Sequence, residues 1–192
     1  VALSATLLAG ALMSAGSLDR LLAQDPGYRV AGITVASLLL PEGRYGDLTL
    51  ATTHTATDLA QLAAAMRAVP GVLAVASSSS PPLRRGLNNW VIARGTPAGE
   101  AGASVEMRIV SPGYLEVLGA SLLSGRDFGA ADAASAPKVA IVNRRFAELY
   151  LPAGAALGAR IDVGGVEHEV VGISADLREQ SLREVALPTV LV

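Results

Sequence analysis

The stretch VSPGYLEVLGASLLSGRDF, residues 110–128, holds the densest set of local structure signals in the chain. Ser111 is of a type that caps helices, and Pro112 suits the first helical position because its missing N–H would have no partner there. Apolar residues then recur on one helical face until Gly119, which favours the left-handed conformation that ends helices. Apolar and turn-forming residues follow at 122–127. The stretch therefore predicts a helix–turn–strand unit.

Outward from this stretch, length and composition limit the class of protein. The chain has 192 residues, 51% of them apolar and 4% aromatic. That length suits one domain or two small ones. A formal net charge of −2 offers no basic surface for counterion release, which argues against a nucleic-acid partner. The lack of cysteine excludes disulfides, thiolate metal sites and cysteine nucleophiles. Both termini lie in apolar runs, which predicts a fragment of a longer protein.

The N-terminal run VALSATLLAGALMSAG, residues 1–16, carries no charge, and the first charged side chain is Asp19. A bilayer span needs about 20 apolar residues, so the run is slightly short. Three interpretations stay open: the end of a transmembrane helix and its exit from the membrane over residues 1–24, a signal-peptide core cleaved after residues 14–16, or a buried helix of a soluble domain. Small residues at near-helical spacing favour the first. Residues 25–27, Asp-Pro-Gly, are expected to end the helix.

The next part of the chain predicts a β-α-β unit. Residues 33–40 form an apolar strand pattern that ends before a proline. Residues 55–69 carry one apolar stripe at helical spacing, and Pro-Gly at 70–71 ends that helix. A second strand pattern begins at 72–75, which suggests strands of one layer with a helix packed on it. The run SSSSPP at 77–82 is expected to be a surface loop.

The remainder of the chain is rich in strand patterns. Asn143 is placed to cap a helix with apolar positions at 146, 149 and 150. Gly164-Gly165 is a two-residue hairpin signal. A charged connector at 178–184 precedes the last apolar run. The strand patterns lie at residues 90–94, 104–110, 138–143, 160–163 and 167–174.

Residue types that bind metals are present without the spacing that metal sites need. His54 lies in a threonine-rich segment and His168 on an alternating strand, and neither belongs to an HExxH motif or a histidine pair. Both are therefore predicted to be exposed. Calcium-loop spacing is equally lacking among the scattered aspartates, which are Asp127, Asp132, Asp162 and Asp176.

Motifs for nucleophilic catalysis and nucleotide binding are also lacking. The sequence contains no GxSxG and neither GxGxxG nor GxxxxGK[ST]. The basic pairs at 84–85 and 144–145 are predicted to be solvated surface, since acidic neighbours and a low overall charge surround them. Arg126 and Asp127 are predicted to close a structural turn. The sequence therefore predicts no catalytic, cofactor-binding or metal-binding residue.

Taken together, these motifs resemble a known family. VSPGYLEVLGASLLSGRDF, then VAIVNRRFAELYLP, then LGARIDVGGVEHEVVGISADLR resemble in order the extracytoplasmic core domain of MacB/FtsX-type ABC transporter permeases, most closely the duplicated orphan permeases. The N-terminal order is similar as well: an apolar helix, SLDRLLAQDPGYR, a strand, a polar loop and a helix ending in VPGV. The resemblance covers nearly the whole chain.

The resemblance implies an α+β fold with two parts. A porter-like β-α-β part would cover about residues 30–80, and an inserted mixed β-rich subdomain about residues 90–176. Both would belong to a MacB-like extracytoplasmic core domain at 28–192 that is incomplete at its C-terminus, preceded by the end of a transmembrane helix at 1–24.

The resemblance also implies a function. The chain would be the extracytoplasmic domain of a permease in the cell (inner) membrane, coupling cytoplasmic ATP hydrolysis to export or to regulation of a partner outside the membrane. A separate cytoplasmic ABC ATPase, a second permease copy and an extracytoplasmic protein would be its partners, with no nucleic acid and no cofactor. The alternative is a membrane-anchored extracytoplasmic binding module without a transport role, and an enzyme with a dispersed site is the third hypothesis.

Overall fold

The computed structural model describes residues 2–22, 26–39, 53–81, 84–129, 131–132, 136–177 and 186–192. The helices are α1 (Ala2–Leu22), α2 (Thr53–Arg67), α3 (Pro97–Glu100), α4 (Tyr114–Leu118) and α5 (Arg144–Tyr150). The strands are β1 (Leu87–Ala93), β2 (Ala103–Arg108), β3 (Leu122–Gly125), β4 (Val139–Asn143), β5 (Arg160–Val163), β6 (Val166–Ser174) and β7 (Thr189–Leu191). The strands predicted in the second half of the sequence are thus confirmed, with small shifts at their ends.

The strands form one sheet that closes on itself. Their order is β3-β6-β4-β7-β2-β1-β5, and β5 pairs back onto β6. Closure is possible because β6 is long: residues 166–169 pair with β5, and residues 169–174 pair with β4. The β5–β6 turn is Gly164-Gly165 with φ of 61° and 88°, values that suit a two-residue hairpin. Closing a sheet removes the unpaired edges of the strands in the ring.

One hydrophobic core fills the inside of this closed sheet. Successive strand residues point to opposite faces, so alternate positions of each strand in the ring face inward. The segment at α5 adds two apolar side chains to the same core. Its buried members are Val91, Ala93, Val105, Ala140, Val142, Phe146, Leu151, Ile161, Val163, Val170 and Val190.

A second, smaller core lies on the outer face and is built around the stretch quoted first. Ile141 alternates with the inward Ala140 and Val142 and packs instead against α4. This outer cluster consists of Tyr114, Leu115, Leu118, Ile141, Leu177 and Leu191. The helix–turn–strand prediction is therefore confirmed, and its packing surface is the outside of β4 and β7.

The prediction for the C-terminal end of α4 is confirmed, and the prediction for its N-terminal end is wrong. Gly119 has φ 64°, and its N–H donates to Glu116 O at 2.9 Å, so the predicted left-handed C-cap is confirmed. At the other end Gly113 precedes the helix and no side chain caps it. The Ser111 hydroxyl accepts the Ser77 N–H at 2.9 Å instead, so the predicted cap is wrong. The hydroxyl is engaged because residue 77 lies against this segment.

Of the predicted β-α-β unit, the described structure contains the helix but neither strand. α2 agrees with the prediction for 55–69, but residues 33–39 and 72–75 form no strand, and Leu40 lies outside the described residues. An apolar run becomes a strand only when a partner strand pairs with it, and the described part of the chain offers neither run a ladder. The two strand predictions are therefore wrong here. The division into a porter-like part at 30–80 and an inserted part at 90–176 stays a prediction.

The apolar N-terminal run is helical, as predicted, throughout α1. Leu12 and Met13 are 65% and 77% exposed. In the described part of the chain, no helix is both long and apolar enough to cross a membrane.

Candidate functional site at the junction of the closed sheet

The aspartates without calcium-loop spacing accept hydrogen bonds from backbone N–H groups. Asp127 accepts the Phe128 N–H at 2.8 Å, and Asp162 accepts the Gly165 N–H at 2.7 Å within the hairpin turn. Asp176 accepts an N–H from the first turn of α5 at 2.8 Å, where helices have unsatisfied donors. Among the described residues, no three His, Cys, Asp or Glu side chains lie together as a metal site would require.

The histidines and basic pairs fall at separate places. His54 lies in the first turn of α2. His168 is buried, 8% exposed, with Nδ1 2.8 Å from Val166 O, so the prediction of an exposed His168 is wrong. It shares the inward side of β6 with Val170, which explains the burial. Residues 84, 85 and 144 are exposed as predicted, and residue 145 is half-buried.

The strongest polar cluster is one that the motif search did not single out. Arg108 and Glu106 lie on the outer side of β2 and are 0% and 2% exposed. The Arg108 guanidinium donates to Ser80 O at 2.7 Å, to Ser80 Oγ at 2.6 Å and to Pro81 O at 3.1 Å. It also donates to Arg84 O at 2.7 Å. One buried arginine thus holds several points of the segment that leads into β1.

Glu106 completes this cluster. Its Oε1 lies 3.5 Å from the Arg108 guanidinium and accepts the Gly86 N–H. A buried arginine needs both a counter-charge and hydrogen-bond acceptors, because desolvation of the charge is costly. The guanidinium and the carboxylate therefore depend on each other and on residues 77–81 and 84–86, which we call the junction segment.

The junction segment also pairs with the chain just beyond β2. The Ser79 N–H donates to Ile109 O at 2.8 Å, and the Ser111 N–H donates to Ser77 O at 3.0 Å. On the opposite side of β2, the Val192 N–H donates to Arg108 O at 2.9 Å. The serine run was predicted as a surface loop; here it is a paired segment beside β2. The chain therefore enters the closed sheet on one side of β2 and runs out of β7 on the other side of the same strand.

A second contact links the segment after α1 to the sheet. The Arg29 N–H donates to Leu118 O at 2.7 Å, and its guanidinium lies 3.4 Å from Glu116 O and 3.5 Å from Val117 O. A cation near the last carbonyls of a helix is favourable. Tyr28 packs on the outer cluster, and Gly27 is so close to Asp176 O that an added Cβ would lie 2.6 Å from it. We call this set the Arg29 contact.

The turn after β3 is held by an ion pair. Arg126 Nη1 and Nη2 lie 2.7 and 2.8 Å from the two carboxylate oxygens of Asp132. The hydrogen bond to Asp132 is the main cause of a raised Arg126 pKa. The same bond lowers the pKa of Asp132, while burial acts in the opposite direction. Arg126 therefore has a structural role, as predicted, but its acidic partner is Asp132.

The important polar residues of the junction were missed for an identifiable reason. Glu106 and Arg108 alternate with the apolar Val105 and Met107, which is the pattern of an ordinary solvent-facing strand side. Opposite charges two residues apart on one strand face are a weak signal of pairing. Nothing local indicates that residues 80–81 and 84–86 cover that face.

Comparison with known proteins identifies the family. A family model described as the MacB-like periplasmic core domain matches residues 2–191. The chain belongs to this family, and the resemblance found in the sequence is confirmed. No curated protein matches the chain.

Two solved structures are similar to the chain. One is the periplasmic region of MacB from Actinobacillus actinomycetemcomitans, with 15% identity, a TM-score of 0.49, and coverage of 69% of this chain and 53% of that one. The other is the extracellular domain of the noncanonic ABC-type transporter YknZ from Gram-positive bacteria, with 20% identity, a TM-score of 0.49, and coverage of 69% and 60%. The chain thus spans 53% and 60% of the length of these two solved regions.

Proposed function

We propose that this chain is the extracytoplasmic part of an ABC transporter permease subunit and that its role is mechanical. The observation that carries the proposal is the family match over residues 2–191. The polar groups support it: Asp127, Asp132, Asp162, Asp176 and the buried arginine are engaged in turns, a helix start and the junction, where they stabilise the fold. A mechanical role needs such fixed attachments and needs no reactive cluster.

In this proposal, residues 1–24 belong to the first membrane helix and its exit from the cell membrane. ATP hydrolysis on a cytoplasmic ABC ATPase moves the membrane helices, and the domain at 28–192 follows outside. The permease pairs with a second copy, and an extracytoplasmic protein or exported substrate contacts the domain. The chain itself is not an enzyme.

Placement outside the membrane is tested by labelling in intact cells. The chain has no cysteine, so a cysteine introduced into it is its only thiol. Ser104→Cys places that thiol at an exposed position of β2, and Val142→Cys places it at a position that is 0% exposed. In the full-length protein, a membrane-impermeant maleimide should label the first variant above the parent and leave the second at the parent's level. Labelling of Ser104→Cys only after lysis would refute the proposal.

The mechanical role is tested separately by purification of the full-length protein. We expect it to stay in the membrane after alkaline carbonate extraction and to co-purify with an ABC ATPase. Extraction as a soluble protein would exclude a permease. Membrane retention without any ATPase would favour the anchored binding module.

One observation favours a binding role, which the second candidate requires and a permease also permits. Trp90, the single tryptophan, is 55% exposed on the outer side of β1, and the neighbouring outward Ile92 is 37% exposed. Exposed aromatic residues are common in protein interfaces. A Trp90→Ala variant that loses an extracytoplasmic partner while ATPase association is unchanged would support binding as a further role of the domain.

A further inference from the structure

The segment after α1 and the junction segment are attached to the closed sheet through arginines of unequal burial. At the junction, the Arg108 and Glu106 side chains are 0% and 1% exposed. At the Arg29 contact the cation itself is exposed, although both attached segments, residues 26–39 and the junction segment, consist of half-buried and exposed residues. Buried charge pairs are strongly coupled to their surroundings, whereas exposed polar contacts exchange readily with water.

The hydrogen bonds differ in the same way. Arg108 makes donor contacts of 2.6 and 2.7 Å to Ser80, while the two contacts of the Arg29 guanidinium are 3.4 and 3.5 Å long. The short hydrogen bond of Arg29 is the one from its backbone N–H to Leu118 O, at 2.7 Å. Regions with few buried contacts and exposed backbone bonds open at low free energy while the core stays closed.

The Arg29 contact lies closer to α1 along the chain than the junction segment does, so a movement of α1 reaches it first. Residues 23–25 alone separate the end of α1 from Pro26. A connection of that length spans at most about 14 Å even when fully extended. A larger displacement of α1 must therefore act on the Arg29 contact, and it reaches the junction segment only through the chain beyond.

We propose that the Arg29 contact is a release point. It opens while the Arg108 cluster and the closed sheet stay intact, so the segment after α1, with Tyr28 and Ile33, separates from the outer cluster before the junction is disturbed. The opening itself follows from the contacts of this chain. Its use in a transport cycle rests on the function proposed above.

Hydrogen exchange on the full-length protein tests the opening. We compare peptides covering residues 27–30 and 77–81, which contain the amides of Arg29 and Ser79. Both amides have short backbone bonds, of 2.7 and 2.8 Å, so bond length does not separate them. After correction for intrinsic rates, residues 27–30 should exchange at least about 100-fold faster, without dependence on low urea, because local opening exposes little surface. Equal protection of the two peptides would overturn the inference.

An engineered disulfide tests whether the transport cycle requires the opening. A Cβ added to Gly119 would lie 3.3 Å from Arg29 Cβ, slightly shorter than the 3.5–4.5 Å typical of disulfides. The pair Arg29→Cys and Gly119→Cys should therefore cross-link with a small adjustment. Each single variant is the control, since Gly119 has φ 64° and any side chain there is strained.

The oxidised pair should slow exchange at 27–30 by at least tenfold and leave 77–81 unchanged, and reductant should restore fast exchange. In a protein that passes the maleimide and carbonate tests, oxidation should lower permease-stimulated ATP hydrolysis at least threefold and reversibly. Slowed amide exchange with unaltered ATP hydrolysis would show that transport does not use the opening. Failure of the maleimide test would instead refute the proposed function and leave the exchange result to decide on the opening.

If the pair does not cross-link, Arg29→Ala tests whether the two attachments open independently. It should speed exchange at 27–30 and leave 77–81 unchanged. A rise in both peptides would show that the two attachments open together and would overturn the inference.

Discussion

At the scale of single residues, the Arg108 guanidinium is buried, whereas those of Arg126 and Arg160 are exposed. The Arg126 and Arg160 side chains are 52% and 68% exposed and form ion pairs with Asp132 and Glu167. Exposed pairs contribute about 0–1 kcal/mol each. Arg108 instead has backbone carbonyls and a buried carboxylate as partners, so its replacement leaves several buried groups without hydrogen bonds.

Arg108→Leu should therefore lower the free energy of unfolding by about 3–5 kcal/mol, because Glu106 is left as a buried charge without its partner. Urea unfolding followed by circular dichroism measures the change. The double variant Arg108→Leu, Glu106→Leu should recover part of the loss. Arg85→Leu, at an exposed position, should stay within about 0.5 kcal/mol. A cost under 1 kcal/mol for Arg108→Leu would contradict a stabilising role of the buried Arg108 and its partners.

Asp132 gives a pH-dependent prediction. Its pKa is lowered in the folded state by the Arg126 hydrogen bond. The ionised form therefore stabilises the fold above the unfolded pKa of about 3.9, and this contribution is lost as the pH falls below that value. Asp132→Asn should cost about 0.5–1 kcal/mol at pH 7, because Arg126 is half-exposed.

The measurement for Asp132 is the difference in unfolding free energy between parent and variant from pH 7 to pH 3. The difference should shrink once the pH drops below about 4. Arg160 and Glu167, an exposed pair 2.9 Å apart, supply the control: Glu167→Gln should change stability little at any pH. A difference for Asp132→Asn that grows on acidification would contradict the assignment.

At the scale of secondary-structure elements, the start of α5 connects three parts of the chain. Asn143 Oδ1 accepts the Phe146 N–H and the Thr189 N–H, both at 2.9 Å, and its Nδ2 donates to Leu187 O at 2.8 Å. One side chain therefore caps the helix and also holds β7 in place. The sequence predicts the cap from local pattern, but it contains no signal for the contact with residues 187–189.

Asn143→Ala should cost about 2–4 kcal/mol, more than the 0.5–2 kcal/mol of an ordinary N-cap, because buried groups of β7 also lose their partner. Thermal or urea unfolding measures it. Asn88→Ala, exposed on β1, is the matched control and should stay within about 0.5 kcal/mol. A loss no larger than that of an ordinary cap would show that β7 does not depend on Asn143.

Elements with local signals could be predicted, and elements that need a distant partner could not. Gly119, Asn143 and Gly164-Gly165 have residue types whose conformation is set within a few positions, and all three take their predicted roles. The strands expected at 33–40 and 72–75 have the right apolar pattern but no ladder in the described chain. The buried Arg108 depends on what covers β2, which strand periodicity alone does not specify.

At the scale of the whole molecule, β7 closes the ring. It pairs parallel with β2 through residues 106–108 and antiparallel with β4 through Ile141 and Val142. Its central residue Val190 is 0% exposed within the inner core. Loss of this short strand would leave one edge each of β2 and β4 unpaired, and open strand edges favour aggregation.

Val190→Asp should therefore abolish cooperative folding, because it places an unpaired charge inside the closed sheet. Amide protection across β2 and β4, measured by hydrogen exchange, should be lost. Leu187→Asp is the matched control three positions away, 38% exposed, and should cost less than about 1 kcal/mol. Retained protection in β2 after Val190→Asp would show that the ring closes without β7.

Residue 77 pairs with Ser111, and residue 192 pairs with Arg108 and Val110 on the opposite side of β2 and its continuation. This arrangement has one further consequence. Neighbouring strands lie about 4.8 Å apart, so the two crossings of the chain are about 10 Å from each other. A polypeptide cut open at any surface turn offers two ends at a similar separation. The two crossings are thus close enough for the closed sheet to join other chain segments at one place, which is the arrangement that tolerates domain insertion and circular permutation.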